Sequence, residues 1–81
     1  MKFNQLISKR TRQLLKERQW SQYELSQHSA IPLSTLSHVL KCKSKTLTAE
    51  TLLNICRGFG IRVADFFNDE LFEPENIADD D

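Results

Sequence analysis

The sequence predicts an all-α fold, a compact bundle of five helices. Three observations carry that prediction. Apolar residues recur three, four and seven apart along most of the chain, which is helical spacing. Glycine and proline number two each among 81 residues, too few for the turns of a strand meander. Helix starts at Ser21 and Thr48 and breaks at Pro32 and the glycines at 58 and 60 divide the chain into short segments.

Each element follows from local chemistry. Phe3, Leu6, Ile7, Leu14 and Leu15 form one stripe with a mostly basic opposite face, giving a first helix from about 4 to 18. Ser21 followed by Glu24 is a capping box: the serine oxygen accepts from the Glu24 N–H, and the glutamate reaches back to the Ser21 N–H. Trp20 before the cap and Leu25 after it have the spacing of a hydrophobic staple. The second helix therefore begins at Gln22 and ends near His28, because Pro32 turns Ile31 away from helical geometry. A third helix starts near Leu33, with Leu36, Val39 and Leu40 inward and Ser34, Ser37, His38 and Lys41 outward. Thr48 caps a fourth helix that buries Leu52, Leu53, Ile55 and Cys56 and ends at Gly58 or Gly60. A short fifth helix from 63 to 67 places Val63, Phe66 and Phe67 on the core.

The domain is expected over residues 1–68. Residues 69–81 form an acidic tail, expected to be partly disordered. Leu71, Phe72 and Ile77 interrupt its acids, so it reads as a solubilising end that doubles as a dimer or partner element. One core of this size is thin, and dimerisation would add burial.

Composition excludes several classes. No apolar run is long enough to span a bilayer, and the N-terminus turns polar too early for a secretory signal. A cytoplasmic location is expected, with Cys42 and Cys56 as free thiols, the first exposed and the second a small core residue. His28 is expected to be merely solvated. No nucleophile–base pair, glycine-rich phosphate loop or metal-ligand spacing occurs, so neither an enzyme, a metal site nor a cofactor is expected.

The zero net charge conceals a division. Residues 1–46 hold nine Lys or Arg against Glu17 and Glu24, a balance of +7. Residues 47–81 hold Arg57 and Arg62 against nine acids, a balance of −7. One region thus suits a polyanion and the other does not.

Two short helices joined by a tight turn, the second with a polar outer face, have the geometry that enters a DNA major groove. Side chains on that face meet base edges whose donor and acceptor patterns differ. Lys41, Lys43 and Lys45 follow the third helix, where flanking phosphates would run. Gln22 and the free N–H groups at the start of the second helix form an end that attracts a phosphate.

Four segments in order carry a resemblance: Ser21-Gln22-Tyr23-Glu24-Leu25, the run from Ile31 to Ser37, the run from Leu52 to Cys56, and the run from Gly60 to Phe67. Together they resemble the phage-repressor/Cro (XRE-like) helix-turn-helix family of DNA-binding domains, over residues 4 to 68. The resemblance implies a lambda-repressor-like bundle in which helices 2 and 3 form the reader. It places base-reading positions at Leu33, Ser34, Ser37 and His38, and phosphate-contacting positions at Arg10, Gln22, Thr35, Lys41, Lys43 and Lys45. It implies double-stranded DNA as partner and sequence-specific binding by a homodimer, acting in transcription as a repressor. No small-molecule effector is indicated.

His38 can donate to or accept from a purine edge, Ser34 and Ser37 are permissive readers, and Leu33 can pack on a thymine methyl. The face carries neither arginine nor amide, so intrinsic specificity is expected to be modest. Three positions depart from the family's usual pattern. Ala30 and Cys42 stand where glycine is usual, and Leu15 and Leu40 stand where some relatives have a buried Arg–Glu pair. The alternative function is a protein-interaction module on the same fold, such as an antitoxin. The polar outer side of the third helix favours nucleic acid over that alternative.

Overall fold

The computed structural model describes residues 2–42 and 47–77. It contains five α-helices: α1 Phe3–Arg18, α2 Gln22–Ser29, α3 Leu33–Leu40, α4 Ala49–Phe59 and α5 Val63–Phe67. Two 3-10 turns follow at Glu70–Phe72 and Pro74–Asn76. Among the described residues there is no strand, and no helix is long and apolar enough to cross a membrane.

The caps act as the residues dictate. The Glu24 N–H donates to Ser21 Oγ over 3.2 Å, and the Ser21 N–H donates to Glu24 Oε1 over 3.2 Å. The Thr51 N–H donates to Thr48 Oγ1 over 3.1 Å at the start of α4. Gly60, at φ 70°, ends α4 in the left-handed region that glycine tolerates. Asp65 accepts from the Arg62 backbone N–H over 3.1 Å and closes the first turn of α5.

The core joins Ile7, Leu14 and Leu15 of α1 to Leu25, Leu36, Val39, Leu40, Ile55, Cys56, Phe59 and Phe66. Gly58 does not end α4. It lies buried inside the helix where α2 crosses, and a Cβ there would stand 2.8 Å from Ser29 Cβ. Two expected core residues are exposed. Leu53 sits one step round α4 from the inward stripe of Leu52, Ile55, Cys56 and Phe59. Val63 opens a helix of five residues, short enough that it buries Phe66 alone.

Trp20 is anchored more broadly than a staple requires. Its ring stacks on His28 at 4.4 Å and on Phe59 at 5.6 Å, with the Arg18 guanidinium 5.4 Å from its centroid. His28, although exposed, therefore covers one aromatic surface of the α1–α2 corner rather than standing free in solvent.

The packed unit also runs beyond residue 68. Phe72 reaches back to Phe67 at 4.8 Å, Phe66 at 6.0 Å and Phe3 at 6.3 Å. The acidity of the segment does not oppose this packing, because the acids can remain in solvent while the Phe72 ring is half-buried against the cluster. Residues 78–81 lie outside the described residues.

Candidate nucleic-acid interface

The α2–turn–α3 unit begins at a capped end and bends at a strained residue. Ser26 Oγ donates to the Tyr23 carbonyl over 2.6 Å, and Ser29 Oγ accepts from the Ile31 N–H over 3.2 Å. Between them Ala30 adopts φ 60° and ψ 18°. Cys42 just past α3 has φ 56°. Both residues thus hold the left-handed geometry usually given to glycine, at a cost of about 1 kcal/mol each. The turn keeps its shape because Ile31 is buried on one side and Ser29 bonds across it.

The orientation of α3 is fixed from α1. Ser8 Oγ donates to the Leu40 carbonyl over 2.6 Å, and Arg12 Nη2 donates to the same carbonyl over 3.0 Å. Ser8 and Arg12 are four residues apart, so one face of α1 supplies both donors. They satisfy a carbonyl at the C-terminal end of α3 that would otherwise lack a helical partner. Sequence reasoning missed this role, and only the i, i+4 spacing of the two polar residues beside the α1 stripe hinted at it.

With Leu36, Val39 and Leu40 buried, α3 turns Leu33, Ser34, Thr35 and His38 outward, and Lys41 lies exposed at its end. Ser37 is half-buried at the edge of that face. Gln22, also half-buried, is the first residue of α2. The structure therefore brings Leu33, Ser34, Thr35, His38 and Lys41 onto one helix surface. Lys43 and Lys45 lie outside the described residues.

Arg10 does not join this surface. Its side chain is only 11% exposed. Nε donates to the Phe66 carbonyl over 2.8 Å, and Nη2 donates to the Asp65 carbonyl over 3.0 Å. Nη1 reaches Gln13 Oε1 at 3.3 Å and Asp69 at 3.5 Å. A guanidinium so occupied clamps the last turn of α5 to α1, which corrects its expected place among the phosphate contacts. Nothing local in the sequence signals it, since Phe66 lies 56 residues away.

Among the described residues, no group of three or more His, Cys, Asp or Glu could hold a metal ion. Cys56 is buried, and desolvation pushes its thiol pKa up, the opposite of a reactive cysteine.

In comparison with known families, the model of the Cro/C1-type HTH DNA-binding domain matches residues 10–71. No curated protein and no solved structure matches the chain. The matched segment contains α2, the turn and α3 entire, together with α4 and α5.

Proposed function

Because this chain belongs to the Cro/C1-type helix-turn-helix DNA-binding domains, we propose that it is a sequence-specific transcriptional repressor that places α3 in the major groove as a homodimer. The observation that carries this reading is the division of α3 into a buried apolar face and an outward face of Leu33, Ser34, Thr35, His38 and Lys41. Leu33, Ser34, Ser37 and His38 read base edges. Gln22, Thr35, Lys41, Lys43 and Lys45 contact phosphates, and Arg10 is left out because its donors are taken. The protein acts in the cytoplasm.

Dimer contacts come from α5 with Leu71 and Phe72. The support is apolar surface at that end of the bundle: Val63 and Phe3 are each 41% exposed beside the Phe67–Phe72 cluster. Paired half-sites about one helical turn apart would then supply the specificity that one short helix lacks.

Fluorescence anisotropy tests the reading. The ligands are the DNA upstream of the protein's own gene and a scrambled duplex, each at several salt concentrations. Three lysines per subunit give a log–log salt slope of about −5 for a dimer. Preferential binding to the upstream DNA with such a slope supports an autoregulatory repressor. Equal weak binding to both duplexes sends the operator search to selection from random duplexes. No binding at low salt refutes the DNA reading and leaves the protein-interaction module.

A further inference from the structure

We propose that Tyr23, a residue on α2 rather than on the reading helix, determines specificity by forming one wall of a slot for a thymine methyl group. The inference rests on the DNA reading above and deepens it. Tyr23 is the second residue of α2 and is 59% exposed, the largest exposure among the large hydrophobic side chains of the described residues. Leu33, the first residue of α3, is 44% exposed. The two line a single open groove of about 410 Å³, floored by the turn through Ala30, Ile31 and Pro32, with Gln27 at its margin.

The chemistry of this groove selects its occupant. No charged residue lines it, so it lacks the cation that draws a phosphate most strongly. Its lining is the Tyr23 ring with Leu33, Ile31, Pro32 and Ala30, and Ser26 and Gln27 are its two aliphatic polar members. In the major groove, the one apolar group that DNA presents is the C5-methyl of thymine. Leu33 belongs both to the groove and to the outward face of α3, so a methyl held here lies next to the bases that α3 meets. Leu33 alone gives one apolar side, and the Tyr23 ring supplies a second. The left-handed Ala30 also has a use in this arrangement. Its methyl group adds to the apolar floor, where glycine would leave bare backbone.

The test uses the preferred duplex identified as above, with each thymine replaced in turn by deoxyuridine. Affinity is measured for the unmodified protein and for Tyr23→Ala, Tyr23→Phe and Leu33→Ala. At one position per half-site, loss of the methyl should weaken the unmodified protein roughly fourfold, the worth of one buried methyl group. Tyr23→Phe should keep that ratio because the ring remains. Tyr23→Ala and Leu33→Ala should bring it towards one at that position alone. Tyr23→Ala should leave the salt slope unchanged because no cation is removed. Tyr23 is exposed, so its variants should melt with the parent protein, which a thermal scan checks. A thymine-to-uracil ratio of one at every position overturns the proposal, as does a ratio that survives Tyr23→Ala. Failure to bind any duplex overturns the DNA reading itself and is distinct from both.

Discussion

Gly58→Ala sets two opposing effects of known size against each other. In an open helix interior the change stabilises by about 1 kcal/mol, because alanine loses less backbone freedom. Here the new Cβ would stand 2.8 Å from Ser29 Cβ, 3.1 Å from Ser29 Cα and 3.1 Å from Leu25 Cδ1. Comfortable carbon contacts lie near 3.5–4.0 Å, so one of the two helices must move. Leu25 can swing its terminal methyl group, but Ser29 cannot withdraw its Cβ. That atom is fixed to the last turn of α2, and its hydroxyl holds the Ile31 N–H. Overpacking of this kind costs about 1–3 kcal/mol. The net effect is a loss of about 1 kcal/mol, a fall of roughly 4–8 °C in Tm for a domain of this size. Circular dichroism melts measure it, with Ser29→Gly in the Gly58→Ala background as the relieving variant. A Tm that rises on Gly58→Ala would refute the close approach of α2 and α4. Ser29 directly precedes the turn into α3, so the displaced variant should also lose duplex affinity while still folded.

Ala30→Gly should stabilise the protein by about 0.5–1 kcal/mol. It relieves a left-handed alanine, and the greater freedom of glycine in the unfolded chain offsets part of the gain; an unchanged or lower Tm would count against strain in the turn. Arg10→Met should cost about 2 kcal/mol, because charge-assisted hydrogen bonds to the Phe66 and Asp65 carbonyls are lost. Its duplex salt slope should stay unchanged, whereas a phosphate contact would lower it. Asp65 is held below the usual carboxylate range, first by the Arg62 side chain and then by the Arg62 backbone N–H. A depressed folded pKa gives stability that is present above the unfolded value of about 4 and lost as pH falls through the folded one. Melts of the parent and Asp65→Asn should therefore differ at neutral pH and converge in acid, and a gap that persists at low pH would reject the linkage.

The local grammar of the chain was legible wherever a short-range signal decides the structure. Ser21 with Glu24, Thr48 and Pro32 set element boundaries because a cap or a ring acts within four residues, and the helical periodicity named most of the core. The two-faced character of α3 was legible for the same reason: its buried stripe and its outward residues alternate within eight positions. What escaped was long-range. Arg10 reads as one more cation on a basic helix until α5 folds back to present two carbonyls to it. Gly58 reads as a helix end until α2 crosses it. Leu53 and Val63 read as core because periodicity ranks apolar residues without saying how wide a stripe the neighbouring helices can cover. The tail reads as a solubilising end that doubles as a partner element, and its sequence does not signal that Phe72 packs against Phe3, Phe66 and Phe67 of the same chain.

The two bonds from Ser8 and Arg12 to the Leu40 carbonyl separate pointing from reading. The two donors that hold the end of α3 belong to α1, and the residues proposed to meet DNA are Tyr23 on α2 and those on the outward side of α3, so neither donor is among them. Leu33, Ser34, Ser37 and His38 could therefore be exchanged as a set, like type in a fixed press, without altering the angle at which the helix meets its target. On the proposed reading, recognition of a new site would require a change of lettering on α3 and at Tyr23 of α2, and none in the two donors of α1 that hold the end of α3.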